Sequence, residues 1–191
     1  THFRNIYIIT RTLEQRMALV PQQPGFVSSK ISSLTALIPG KRKNVVQEPV
    51  DGFKFIKGEI HAVSNRVFRD QPRRLMRVFL YAQQRGLQLH PDLAQLIRKE
   101  LSLADREFVN DEHVRETFLA ILAQRGNVAP ILRAMHEVGL LGKYIPEFGK
   151  LTCLVQHEFY HQYTADEHTL VCLEQVDKIW EAKAPASEAY A

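Results

Sequence analysis

The chain is poor in cysteine and tryptophan and has no long apolar run. Its 191 residues include one tryptophan and two cysteines, Cys153 and Cys172, which do not form a spaced framework. We therefore interpret both cysteines as reduced core residues of a cytosolic protein. No stretch of about 18 apolar residues and no secretory leader occur, so we expect a cytoplasmic protein without a membrane partner.

Charge of either sign is also modest. Lysine and arginine total 25 against 21 acidic residues, a net charge of +4. A nucleic-acid-binding arm has a denser basic stretch, so we expect no nucleic-acid partner. The first residues have the pattern of a helix interior, and residues 181–187 have the composition of a linker. We therefore expect a piece of a longer protein.

The first quarter of the chain divides into two segments. Apolar residues at helical spacing predict an amphipathic helix over residues 3–20. Residues 21–50 hold four of the nine prolines, which predicts a mobile loop. Alternating apolar residues over 53–63, with Gly58 at the turn, predict a small β-hairpin that must pack on helices, because a lone ribbon is marginally stable.

Everything after the hairpin has helical periodicity. We assign helix starts to Pro72, Pro91, Asn110, Asn127 and a Thr164–Glu167 capping box. We assign helix ends to Gly86, Gly126 and Gly139. The inward-facing apolar positions are predicted to be Leu75, Val78, Phe79, Ala82, Leu93, Leu96, Ile97, Leu101, Val114, Phe118, Ile121, Leu122, Ile131, Leu132, Met135, Leu170, Leu173 and Val176. The expected fold class is all-α: a helical bundle with one small hairpin near residues 53–63.

One short motif points to metal chemistry. His157-Glu158-x-x-His161 fits the pattern of zinc peptidases, in which two histidines four residues apart hold Zn²⁺ and the glutamate activates water. The pentapeptide is short enough to arise by chance, and Thr164 begins a new helix three residues later. A zinc peptidase is therefore a remote alternative.

Two motifs near the end of the chain resemble one known family. Residues 145–149 are Ile-Pro-Glu-Phe-Gly, and Tyr-Thr-Ala-Asp-Glu-His-Thr follows at 163–169. Their order and spacing resemble those of the bifunctional PII uridylyltransferase/uridylyl-removing enzymes, with Glu158 in place of the usual Asp and Ala165 in place of Val. The matching positions are Ile145, Pro146, Glu147, Phe148, Gly149, Gln156, His161, Tyr163, Thr164, Asp166, Glu167, His168 and Thr169.

The resemblance implies a parent enzyme with two activities. One domain transfers UMP from UTP to the PII signal protein, a second, HD-type domain removes it, and glutamine controls both, with Mg²⁺ or Mn²⁺ in the parent. Residues 1–163 would be a helical connecting domain, and 164–191 the truncated first helix of the hydrolase domain. The family's Gly-Ser loop, Asp-x-Asp pair and His-Asp pair are absent from this sequence. We therefore expect no catalytic residue and no cofactor in this chain, whose partners would be its neighbouring domains.

A single hydrolase ligand position is matched, at His168. In the intact parent the resemblance makes it a metal ligand. On the predicted helix His168 shares a face with Val171 and Cys172, so within this chain we expect a core histidine whose ring bonds a backbone carbonyl.

Residues 70–79 resemble, more loosely, a helix of tRNA nucleotidyltransferases that follows a polymerase-β-like head. Arg74 and Arg77 lie one turn apart, so both could reach a triphosphate or a carboxylate of a neighbouring domain. The competing interpretation is a hydrated basic face. The alternative function is the equivalent domain of another such nucleotidyltransferase, either a glutamine synthetase adenylyltransferase or a signal-transduction type.

Overall fold

The computed structural model describes residues 48–152 and 164–181. Several sequence predictions lie outside the described residues. They are the helix over 3–20, nearly all of the loop over 21–50, the His157-Glu158-x-x-His161 motif, and the positions of Cys153, Gln156 and Tyr163.

The predicted hairpin is present and belongs to a three-stranded sheet. Strand β1 (Phe53–Ile56) pairs antiparallel with β2 (Glu59–Ala62). The turn residues Lys57 and Gly58 have φ of 50° and 85°, and two successive positive φ values are what a type I′ hairpin turn requires. A third strand, β3 (Gln88–Leu89), pairs parallel with β2. The sequence did not predict β3, because two residues are too few to show alternation.

The other regular elements of the described chain are helices. In chain order they are α1 (Val67–Asp70), α2 (Arg74–Arg85), α3 (Pro91–Lys99), a 3₁₀ turn (Leu101–Leu103), α4 (Arg106–Asn110), α5 (Glu112–Leu122), α6 (Ala129–Val138), α7 (Leu140–Tyr144), α8 (Pro146–Leu151) and α9 (Ala165–Glu181). The prediction of a helical bundle with one small hairpin is confirmed. In 48–152 and 164–181, no helix is both long and apolar enough to cross a bilayer.

One core joins the sheet to the helices. Helix α2 is central and packs on α5 and α6, while the buried side of the sheet contributes Phe53 and Ile60. Most apolar positions predicted to face inward are buried or pack against this core. The prediction is wrong for two residues, because Leu122 and Val176 are 40% and 59% exposed.

The helix starts are the least accurate part of the prediction. Pro91 does begin α3, but α2 begins two residues after Pro72. Asn110 is not a cap, since it ends α4. Asp111 has the extended backbone of a capping residue, and its Oδ1 accepts from the backbone N of His113 and Val114 at 2.9 and 3.2 Å.

The predicted helix ends are more accurate. Helices α2 and α6 stop at Gly86 and Gly139, as expected, whereas α5 stops at Leu122, four residues before Gly126.

The buried Gln83 of α2 holds the segment after α5 in place. Its side-chain amide donates to the carbonyls of Ile121 and Asn127 at 3.0 and 2.7 Å.

Candidate functional site

The second sequence motif begins α9, and α9 packs along α6. We call this contact the α6–α9 junction. Its residues are Val128, Ala129, Arg133 and His136 on one side, and Asp166, Glu167, Leu170, Glu174 and Asp177 on the other. Leu170 is fully buried and provides its apolar centre.

A buried hydrogen-bonded pair of side chains lies at one end of the junction. The Nε2 atom of His136 is 3.1 Å from Oδ2 of Asp166, and the two side chains are 9% and 6% exposed. Burial by itself would raise the pKa of Asp166, but hydrogen bonds from His136 and Thr164 outweigh it and lower that pKa to about 2. The carboxylate is therefore ionised throughout the physiological range.

An arginine lies at the middle of the junction. The Arg133 guanidinium binds Glu167 and also Glu174, seven residues further along α9, with Nε and Nη2 at 2.9 and 2.6 Å from Glu174 Oε1. Burial would lower the pKa of Arg133, yet the hydrogen bonds to the two glutamates raise it. Thr164 directly precedes α9 as predicted, while the Glu167 carboxylate of the predicted capping box is bound by Arg133.

The opposite end of the junction is a helix cap supplied from far along the chain. Oδ2 of Asp177 accepts from the backbone N of Val128 and Ala129 at 2.9 and 2.7 Å. These are among the N–H groups that the first turn of α6 leaves without intrahelical partners. The prediction of Asn127 as the cap of α6 is wrong, because Val128 precedes the helix and Asp177 binds its first N–H groups.

The first motif, residues 145–149, packs against this junction. Helices α7 and α8 approach so closely that a Cβ on Gly149 would lie 2.6 Å from the carbonyl oxygen of Gly142. The Phe148 ring meets the His136 ring edge-on at 5.4 Å. Glu147 lies exposed in the first turn of α8. The two motifs therefore converge, since Phe148 packs on the histidine that binds Asp166.

His168 lies on the other side of α9. It is exposed, and its Nε2 is 3.7 Å from Sγ of Cys172, which is also exposed. The expectation of a core histidine is wrong, and so is that of a core cysteine at 172. Asp166 and Leu170 occupy the buried face of α9, which turns His168 and Cys172 outward.

Arg74 and Arg77 lie elsewhere, on one face of α2 as predicted. Arg74 Nε and Arg77 Nη2 each donate to Oδ1 of Asp51 at 2.9 Å, and the Tyr81 hydroxyl lies 3.3 Å from Oδ2. Burial, followed by the charge of Asp51, raises the pKa of Tyr81. The interpretation as a hydrated basic face is wrong for Arg74 and Arg77, because both bind the segment that leads into β1.

The comparisons with known proteins bear on this architecture. The sequence profile described as the uridylyltransferase GlnD third domain matches residues 53–144. The bifunctional uridylyltransferase/uridylyl-removing enzyme of Ruegeria pomeroyi is 36% identical over 130 residues, which is 66% of this chain. The chain belongs to this uridylyltransferase family. The profile covers the segment from β1 to the end of α7.

Two further relatives extend the match. The enzymes of the same name from Azospirillum brasilense and Zymomonas mobilis are 36% and 33% identical over 133 and 145 residues, or 70% and 76% of this chain. The matched segment is 14 to 15% of each relative's length. The chain therefore spans only about a seventh of the curated relatives that it matches.

Sequence reasoning missed four of the residues that hold the junction together, which are Arg133, His136, Glu174 and Asp177. Glu167, Leu170, Glu174 and Asp177 recur at spacings of three and four residues, which places them on one face of a helix. That pattern indicates a face that contacts a neighbour. Arg133 and Asp51, in contrast, have no comparable pattern around them.

Proposed function

We propose that this chain is the helical connecting segment of a bifunctional uridylyltransferase/uridylyl-removing enzyme. The whole protein would transfer UMP from UTP to the PII signal protein and remove it again, under the control of glutamine, in the cytoplasm. Residues 1–163 would be the connecting domain and 164–191 the first helix of an HD-type hydrolase domain. The metal ions, Mg²⁺ or Mn²⁺, would be held mainly by parts of the protein beyond this chain.

The observation that carries the proposal is the way α9 is held. His136, Arg133 and the first turn of α6 fix its inner face, while His168 faces outward on the same helix. An outward histidine on an anchored helix has its position set before the rest of a site assembles around it. We assign His168 as a metal ligand of the hydrolase, with its orientation set by the junction.

A second observation supports the proposal that another part of the protein packs on this side of α9. Val176, Ile179 and Trp180 are more than half exposed, although they are large and apolar. The guanidinium of Arg125 lies 4.3 Å from the Trp180 ring centre, which keeps the tryptophan at the surface of the bundle. We assign this apolar patch as the contact face for the downstream part of the hydrolase domain.

The uridylyl-transferring relatives favour this function over the adenylyltransferase alternative. It stays a prediction that Arg74 and Arg77 contact a nucleotide or an upstream domain. Their bonds to Asp51 favour a role inside this domain, because a guanidinium committed to a carboxylate is less available to a phosphate.

The test is His168→Ala in the full-length protein. We expect UMP transfer to PII to continue at the parental rate, while UMP removal falls to background, because losing one protein ligand disables a hydrolytic metal site. The matched control is His113→Ala, which removes another exposed histidine, whose Nδ1 lies 3.4 Å from Oε2 of Glu116. Removal of UMP at the normal rate by His168→Ala would contradict the assignment.

A further inference from the structure

The parallel pairing of β2 with β3 brings two distant histidines together. Ile60 lies opposite Leu89, and the backbone N of His90 donates to the carbonyl of Ile60 at 3.1 Å. His61 follows Ile60 in β2, and His90 directly follows β3. The centres of their rings lie 4.3 Å apart, with the ring planes tilted by 32°. Neither histidine lies in a motif that the sequence marks as a metal site.

A carboxylate completes the group. Glu59 lies two residues before His61, so both point to the same face of β2. Its Oε2 is 3.7 Å from Nε2 of His61. One ligand atom from each of Glu59, His61 and His90 lies within 4.8 Å of the other two, and all three residues are half-buried. Asp92 adds a second carboxylate, with Oδ2 3.6 Å from Nδ1 of His90.

We propose that Glu59, His61 and His90 form a binding site for a divalent cation of the zinc class. Two imidazoles and a carboxylate are the mixed nitrogen and oxygen set that Zn²⁺ accepts, whereas Mg²⁺ and Ca²⁺ require oxygen ligands. Tetrahedral zinc with bonds of about 2.1 Å places its ligand atoms roughly 3.4 Å apart. The three side chains therefore need to close by at most about 1.4 Å.

The local charges determine how readily the cation binds. Burial, followed by the nearness of His90, lowers the pKa of His61, and the charges of Glu59 and Asp92 raise it less. Lys54 opposes binding, because it lies directly across from His61 in the hairpin and therefore on the same face.

The expected role of this ion is structural. His61 belongs to the hairpin, while His90 directly precedes α3 and its Nδ1 accepts from the backbone N of Asp92 at 3.3 Å. A shared ion would clamp the sheet to the start of α3. This site uses neither His168 nor the histidines of the His157-Glu158-x-x-His161 motif, and it differs from the expectation that the chain holds no metal.

The test titrates the 191-residue chain with Zn²⁺ by calorimetry and with Co²⁺ by visible absorption. We expect one equivalent to bind, and the affinity to fall on the order of tenfold or more in His61→Ala, His90→Ala and Glu59→Gln. Lys54→Gln should tighten binding several-fold, because it removes the opposing charge. The glutamine substitutions preserve side-chain size, so they keep the test interpretable if an alanine variant does not fold.

Two controls separate this site from others in the chain. Cys172→Ser with His168→Ala removes the exposed sulfur and imidazole pair, and His157→Ala with His161→Ala removes the peptidase-like motif. Binding that is unchanged in both controls and lost in the Glu59, His61 and His90 variants supports the proposal. No binding, or binding lost only in a control, would overturn it.

Discussion

Nε2 of His136 and Oδ2 of Asp166 lie 3.1 Å apart between α6 and α9, and both side chains are almost wholly buried. This pair connects the two motifs that the family resemblance singled out. Phe148 of the first motif packs on the His136 ring, and Asp166 belongs to the second. Residues of the two motifs thus share one structural task, which is to fix the position of α9.

The His136–Asp166 pair should make stability depend on acid pH. The pKa of Asp166 is lowered from 3.8 to about 2 in the fold, so its stabilising contribution is complete above about pH 4 and disappears as the pH falls toward 2. Asp166→Asn should lower the free energy of unfolding by about 1–3 kcal/mol at pH 7 and remove this part of the acid sensitivity. Urea unfolding of both proteins between pH 7 and pH 2 measures the difference. If the Asp166→Asn variant loses as much stability between pH 7 and pH 2 as the parent chain does, the assignment is contradicted.

Asp177→Ala should weaken α6, although Asp177 lies in α9. It removes the acceptor for the backbone N of Val128 and Ala129, and loss of a helix cap costs about 1 kcal/mol. Amide hydrogen exchange should accelerate in the first turn of α6 more than elsewhere. Lys178→Ala, a change of the exposed neighbouring residue, is the control and should leave both quantities unchanged.

Gly149→Ala should destabilise the contact between α7 and α8. The added methyl group would meet the backbone oxygen of Gly142 at 2.6 Å, and backbone atoms cannot yield as a flexible side chain does. We expect a loss of about 1–3 kcal/mol in chemical denaturation, the usual cost of overpacking. Lys150→Ala, at the exposed next position, should change stability by less than about 0.5 kcal/mol.

Asp51→Ala should lower the free energy of unfolding by about 2 kcal/mol, because Arg74, Arg77 and Tyr81 lose a shared acceptor. Asp51 has φ of 53°, a conformation that asparagine tolerates better than alanine, so Asp51→Asn should cost less. Thermal unfolding compares the two. Asp70→Ala, at a half-exposed acidic residue paired with Arg66, is the control, and an equal loss there would contradict the role of Asp51.

The isolated 191-residue chain should neither attach UMP to PII nor remove it. The Gly-Ser loop, the Asp-x-Asp pair and the His-Asp pair that the family resemblance requires are absent from its sequence. The assay follows transfer of label from UTP to purified PII, and removal of UMP from modified PII. The full-length protein is the positive control. Label transferred to PII by the chain alone would show that the catalytic residues lie within it.

Much of the fold could be predicted because it depends on neighbours in the chain. The two-residue turn at Lys57 and Gly58, and the ends of α2 and α6 at Gly86 and Gly139, follow from local backbone geometry. The inward apolar faces follow from helical periodicity, which errs at Leu122, the last residue of its helix, and at Val176 within α9. The candidate site was predicted only in part, because Asp166 and Glu167 were recognised by resemblance without their partners.

By itself, the sequence determined the family, the helical class and the position of the hairpin turn. Only the tertiary structure decided which groups meet across long separations: Asp177 with the start of α6, Arg133 with two glutamates of α9, and His61 with His90. It also decided that His168 faces outward. The physical reason is range. Turn and helix preferences act over about four residues, whereas the pairing of charges and rings depends on how whole elements pack around a shared core.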